Sequence, residues 1–312
     1  MKAFPLPGAT GHVTLDYLAY DQAHGRVWIP VGETGSVDVF DTATGTFTRV
    51  DGFKTSERDV RGTKRTMGPS AVSIGDGVAY IGDRASGEVC VIDEKTLMLG
   101  ACLKLPVAID GVSYVAAAKE VWVTTPRDHA IAVLDASKPL ALKAKTVIAI
   151  DGEPEGYAID AARGLFYTNA EDKDRTLAID IATHAVKTTW SAGCGAEGPR
   201  GIAVDGARNF ILVACTDGLR VLDGAHGGAS LGRLDAGGGV DNFEYLEPSR
   251  TVAIAAGRAS RLTVARIDDK GQPSVVTTTP TAEGARNAVV DANGSVYVVD
   301  PQTARLLVFK AP

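Results

Sequence analysis

The chain has 312 residues, 45% of them hydrophobic, with 32 basic and 38 acidic side chains and a formal charge of -6. That balance excludes a nucleic-acid binder, because phosphate neutralisation needs clustered lysine and arginine. No apolar run reaches the roughly 18 residues that cross a bilayer, and the opening MKAFPLPGATG lacks the apolar stretch of a secretory signal, so the chain as given reads as cytoplasmic, or as periplasmic or secreted if already processed.

In chain order, the first strong segments are RVWIPV and SVDVFD, each β-branched or aromatic and bounded by Gly or Asp. VAYIGD and EVCVID follow, then EVWVTT and AIAVLD, then LFYTNA and TLAID. FILVAC and GLRVLD, TVAIAA and RLTVARID, and finally VYVVD and RLLVF complete the series. Each pair predicts the second and third strands of a four-stranded unit, with a looser first strand before it and a fourth after it. GVSYVAAA, EVWVTT, AIAVLD and AKTVIAI display one whole unit. The Asp that ends most third strands is suited to hydrogen-bond the following turn, a structural role. The last unit, from about Ala285 to Lys310, has only three strands, and KAFPLP at the start is placed to supply the fourth. Such closure would remove open sheet edges.

The units are copies of one another. PEGYAID and PRGIAVD are the clearest first strands; ARNAVVD, LDYLAYD and IDGVSYV are looser. Aligning them superposes Asp16, Ser70, Asp110, Glu155, Arg200, Asp241 and Arg286, at intervals of 54, 40, 45, 45, 41 and 45 residues. A period of about 40 to 45 residues with four strands per unit predicts a seven-bladed, all-β propeller of four-stranded antiparallel blades, one domain over residues 1–312. The long first interval holds GFKTSERDVRGTKRTMG, with Lys54, Arg58, Arg61, Lys64 and Arg65, either a charged lid or a solvated loop.

In a propeller the aligned positions would face one another at a central mouth. The next position holds Tyr17, Ala71, Gly111, Gly156, Gly201, Asn242 and Asn287. Four carboxylates would repel one another unless the two arginines or a cation joined them. Asp16, Glu155 and Asp241 are therefore candidates for general acid–base catalysis or for holding a divalent cation, and oxygen ligands suit calcium or magnesium. Arg200 and Arg286 are candidates to clamp a carboxylate or phosphate of a small-molecule ligand, with Asn242, Asn287, Asp110 and Tyr17 beside them. Glu197 and Glu283, three residues before each Arg in AEGPR and AEGAR, are expected to orient the guanidiniums. The alternative is a salt-bridged, non-catalytic binding or interaction propeller. Of the charges on the mouth-side connections, Glu33, Asp83, Arg84, Arg127, Asp128, Glu171, Asp172 and Lys173, most read as solvated rim.

His24, His184 and His226 fall in hairpin turns, His129 in a connection and His12 near the mouth, a pattern that argues against His-ligated copper or haem. Cys90 and Cys102 flank a hairpin, and Cys194 and Cys215 should reach one rim. Each pair is either two buried thiols or a disulfide; no CxxC spacing marks a metal site.

FYTN, at Phe166 to Asn169, with TLAIDIATHAV after it, resembles the YVTN-type bacterial propeller repeat, and PEGYAID and PRGIAVD fit the same pattern. The resemblance spans essentially the whole chain and implies fold rather than activity. Seven-bladed lactonases, which it brings into view, often carry GPRH; here GPRG, at Gly198 to Gly201, keeps the Arg and lacks the His. The gluconolactonase family, which holds a divalent cation with acids and Asn, is similar in residue types at the mouth. The lactonase and gluconolactonase resemblances, as distinct from the repeat, imply a hydrolase or lactonase-like activity.

Overall fold

The computed structural model describes residues 1–60 and 62–310. Its strands form seven four-stranded sheets and one two-stranded hairpin. Blade 1 comprises Ala19–Asp21, Arg26–Val31, Ser36–Asp41 and Thr46–Asp51. Blade 2 comprises Pro69–Gly75, Val78–Asp83, Glu88–Asp93 and Leu99–Lys104, and blade 3 Val112–Val115, Glu120–Thr125, Ala130–Asp135 and Lys143–Ala149. Blade 4 comprises Pro154–Asp160, Leu165–Ala170, Arg175–Asp180 and Val186–Ser191, and blade 5 Pro199–Asp205, Phe210–Cys215, Gly218–Asp223 and Ala229–Asp235. Blade 6 comprises Val240–Leu246, Thr251–Ala256, Arg261–Ile267 and Pro273–Pro280. Blade 7 joins Ala288–Val290, Val296–Asp300 and Arg305–Phe309 to the N-terminal Lys2–Pro5, the strand expected to complete it. Seven four-stranded antiparallel blades make the chain an all-β, seven-bladed β-propeller. It divides into two compact units, one of residues 4–149 and 301–305, the other of residues 1–3, 150–300 and from 306 onward.

Burial explains the sequence pattern of each blade. The second strands Val78–Asp83, Glu120–Thr125 and Phe210–Cys215 are buried at every residue, which accounts for their nearly unbroken apolar runs. The fourth strands Lys143–Ala149 and Val186–Ser191 are mostly exposed and correspondingly polar. Neighbouring blades bury their facing side chains together. Trp28, Val37 and Val39 of blade 1 pack on Val72, Ala79, Ile81 and Ile92 of blade 2. Leu212, Leu219 and Val221 of blade 5 pack on Tyr245, Val252 and Ile254 of blade 6.

The third-strand Asp residues cap turns as their position suggested. Asp41, Asp93 and Asp180 accept the main-chain N–H of Thr44, Thr96 and Thr183 at 2.8, 2.7 and 2.8 Å. Those bonds hold the three carboxyls below their ordinary range.

The insertion before blade 2 is a hairpin, not an irregular loop: Ser56–Val60 pairs antiparallel with Thr63–Met67. Arg61, one of its expected cations, lies outside the described residues. Both cysteine pairs are disulfides, Cys90–Cys102 across adjacent strands of blade 2 and Cys194–Cys215 in blade 5 and the segment before it. They close loops of 12 and 21 residues. Chain-entropy arguments assign each about 3 kcal/mol. Replacing either pair by alanines is expected to lower the unfolding free energy by about that amount, read from urea denaturation against the oxidised parent.

Candidate functional site

Four of the aligned positions, Ser70, Glu155, Arg200 and Asp241, lie on backbone irregularities that recur from blade to blade, whereas Asp16, Asp110 and Arg286 lie just before their first strands. Register slips between Pro69 and Ala71, Glu155 and Tyr157, Pro199 and Ile202, and Val240 and Phe243. One extra residue at each opening bends the strand and re-aims its side chains, as β-bulges do. Glycine is required where the openings crowd. Gly156 has φ 66°, and a Cβ there would meet the Arg200 carbonyl oxygen at 2.5 Å. A Cβ on Gly201 would meet Asn242 Oδ1 at 2.5 Å.

In the unit of blades 1 to 3, Asp16 and Asp110 are brought together by Arg84, whose Nη2 donates to both carboxylates. Asp16 is buried and the Asp110 side chain is 15% exposed. The backbone fixes both acids. Asp16 and Tyr17 donate their N–H to the Ser70 carbonyl at 3.1 and 3.0 Å, and Asp110 donates its own to Thr124 at 3.0 Å. Tyr17 is buried. The Ser70 Oγ is buried without a hydrogen-bond partner. Arg58 of the inserted hairpin donates to the Arg84 carbonyl at 3.2 Å, so the hairpin leans on the residue that joins the two acids. Glu33 receives both the N–H and the hydroxyl of Thr14, at 2.6 and 2.7 Å.

In the unit of blades 4 to 7, Arg200 pairs with Glu171, and Arg286 with Asp241 at 3.2 Å. Glu155 is half-buried and stands opposite Asn169, whose Nδ2 donates to the Arg200 carbonyl at 2.6 Å. Asn242 Nδ2 is buried without a hydrogen-bond partner, and Asn287 is buried. Glu244, three residues beyond Asp241, is pushed up to about 7 by burial, against the lowering effect of the Tyr245 N–H. It remains half-open to solvent while densely walled by protein, which is how a carboxyl is both reachable and poorly solvated.

The partners differ from those expected. Glu197 lies in the turn Gly195–Glu197 before Gly198 at φ 68° and directs its carboxylate to Arg258 at 3.6 Å. Only its main-chain oxygen faces Arg200, at 3.4 Å. Glu33, Arg84 and Glu171 are bonded side chains rather than solvated rim charges. The sequence does hold a signal for two of them. Arg84 and Glu171 occupy the same place in the repeat, directly after the second strand, and each reaches the first-strand opening of the following blade.

Among the described residues, the metal-competent clusters of acids, His and Cys do not include Asp16, Glu155 or Asp241. They are Asp21 with His24 and Glu94, and Glu88 with the disulfide-bonded Cys90 and Cys102.

No family model matches the chain, and no curated protein matches it. Solved structures do. A propeller chain in a mitotic checkpoint complex superposes with TM-score 0.79 at 13% identity, covering 99% of this chain and 91% of that one. The Cps50 (Swd1) propeller domain of Myceliophthora thermophila gives 0.73 at 11%, covering 97% and 98%. Virginiamycin B lyase from Staphylococcus aureus gives 0.74 at 10%, covering 100% and 99%. At these identities the likeness shows the propeller fold alone.

Proposed function

We propose that this chain is a non-catalytic binding propeller that docks another protein, and that its first-strand charges are structural ion pairs. The observation that carries this reading is Arg84, which joins Asp16 to Asp110. A guanidinium between two carboxylates bridges them and offsets part of their repulsion, the place a bound cation would otherwise take. Arg200 and Arg286, suited by type to clamp an anion, have Glu171 and Asp241 as partners. An anionic ligand would have to displace those carboxylates. Neighbours of the same fold include a propeller taken from an assembly, the mitotic checkpoint complex, which supports the docking role by analogy only. The resemblance of FYTN, at Phe166 to Asn169, to the YVTN-type repeat is compatible with the same reading. Two disulfides suit an oxidising compartment, so of the two expected localisations we favour the periplasmic or secreted one.

The test is a combined screen of lactones, sugar acids and phosphorylated acids, with and without calcium, magnesium or manganese. The expected result is no turnover and no thermal shift from those three ions, while Arg200→Met and Arg286→Met lower the melting temperature without ligand present. Turnover that falls at least about 100-fold in Asp16→Asn or Asp241→Asn would overturn the reading in favour of a hydrolase.

A further inference from the structure

A second group of charged side chains meets at the far ends of the strands in the unit of blades 1 to 3. Asp21 ends the first strand of blade 1, His24 lies in the turn to the second strand, and Glu94 follows the third strand of blade 2. Asp21 Oδ1 accepts the N–H of Ala23 and His24 at 2.9 and 3.1 Å, and Oδ2 lies 2.7 Å from His24 Nδ1. Glu94 Oε2 approaches the same ring nitrogen at 3.7 Å. The main chain of Glu94 is pinned on both sides. Its carbonyl receives Arg26 Nη1 at 2.8 Å, and its N–H donates to Gly77 at 3.0 Å.

The second acid distinguishes this turn from an ordinary capped one. Asp223 and His226 repeat the local geometry at 2.8 Å on the surface of blade 5, and among the described residues they belong to no such cluster. Asp21 and Glu94, by contrast, are buried, at 4% and 5% exposure, and among the described residues Glu94 Oε1 has no hydrogen-bond partner. The hydroxyl of the fully buried Tyr80 is likewise without a partner among the described residues. Two buried carboxylates around one imidazole therefore present spare lone pairs, those of Glu94 Oε1 among them.

We propose that Asp21, His24 and Glu94 form a site for a divalent transition-metal ion of the zinc class, stapling blade 1 to blade 2. The three ligand atoms lie within 4.8 Å of one another. Zinc bonds of about 2.0–2.2 Å in a tetrahedral set space the ligands by about 3.3 Å, and the observed 2.7 and 3.7 Å bracket that value. Binding needs only that His24 Nδ1 exchange its contact with Asp21 for the metal. One nitrogen and two carboxylate oxygens suit zinc better than calcium, which takes about six to eight oxygens. His24, 42% exposed, leaves the fourth position to water.

The probe is zinc itself, titrated calorimetrically into chelator-treated protein. One ion per chain is expected, with a rise in melting temperature, and cobalt in its place should give the visible absorption of a four-coordinate ion. Glu94→Gln and His24→Asn should each weaken zinc binding at least about 10-fold, whereas His226→Asn, on the surface turn, should leave it unchanged. Melting curves without metal verify that the variants fold. No zinc uptake, or uptake that Glu94→Gln and His24→Asn both retain, would overturn the site.

Discussion

Replacing Arg84 by methionine should lower the unfolding free energy by about 3–5 kcal/mol, the cost typical of removing one partner from a buried charge network. Arg84 holds Asp16 and Asp110 together, with side-chain exposures of 22%, 9% and 15% for the three groups. Without the guanidinium, two like charges remain adjacent with little water to screen them. The effect should be largely rescued when Asp16→Asn and Asp110→Asn are added, because neutral amides of the same shape do not repel. Arg286→Met is the contrasting case. Its side chain is 47% exposed, so solvent can take over the solvation of Asp241, and the expected loss is about 1 kcal/mol or less. Urea denaturation at neutral pH measures all of these. An Arg84→Met loss no larger than that of Arg286→Met would remove the structural basis for reading these charges as ion pairs.

The same residues explain how far the sequence could be read. Second and third strands were legible to the residue in most blades, RVWIPV at Arg26–Val31 and FILVAC at Phe210–Cys215 among them, because strands buried on both faces need no decision about register. Turn-capping Asp residues were legible because the interaction is local, three residues along the chain. The first-strand positions were found by alignment, but their partners were not. A period-two pattern cannot reveal an extra residue, and the openings of blades 2, 4, 5 and 6 each carry one. Glu197 was close to Arg200 in sequence, yet Gly198 turns the chain between them, and the carboxylate that arrives belongs to Glu171 on the preceding blade. Glu244 and Asp38 were equally invisible, since nothing in an alternating strand marks a carboxyl as poorly solvated.

Asp38 should make stability depend on pH, with the opposite sign to a salt-bridged carboxylate. It sits in the third strand of blade 1, opposite Ile29 and Arg49, fully buried. Ser36 Oγ donates to Oδ1 at 3.3 Å, while Oδ2 is buried without a partner. The Arg49 guanidinium attracts it from a distance but is committed elsewhere, to Asp51 and the Pro7 carbonyl at 2.6 Å each. Burial therefore wins, and the Asp38 carboxyl is pushed up to about 7. The unfolded chain releases this proton near pH 4, so between about pH 4 and 7 the folded state binds one proton more than the unfolded state. Stability from this group is then fully present below pH 4 and is lost as pH rises to 7. A shift of about three units is worth at most about 4 kcal/mol. Glu244, also pushed up to about 7, tilts the curve the same way. Asp38→Asn removes the titration and keeps the shape. The variant should gain about 2–4 kcal/mol over the parent at pH 8 and about 1 kcal/mol or less at pH 4.5, read from urea midpoints at the two pH values. Equal differences at both pH values would mean that Asp38 is already solvated as a carboxylate in the folded protein. The sign of that pH dependence separates a carboxyl that merely tolerates burial from one whose charge a partner holds in place.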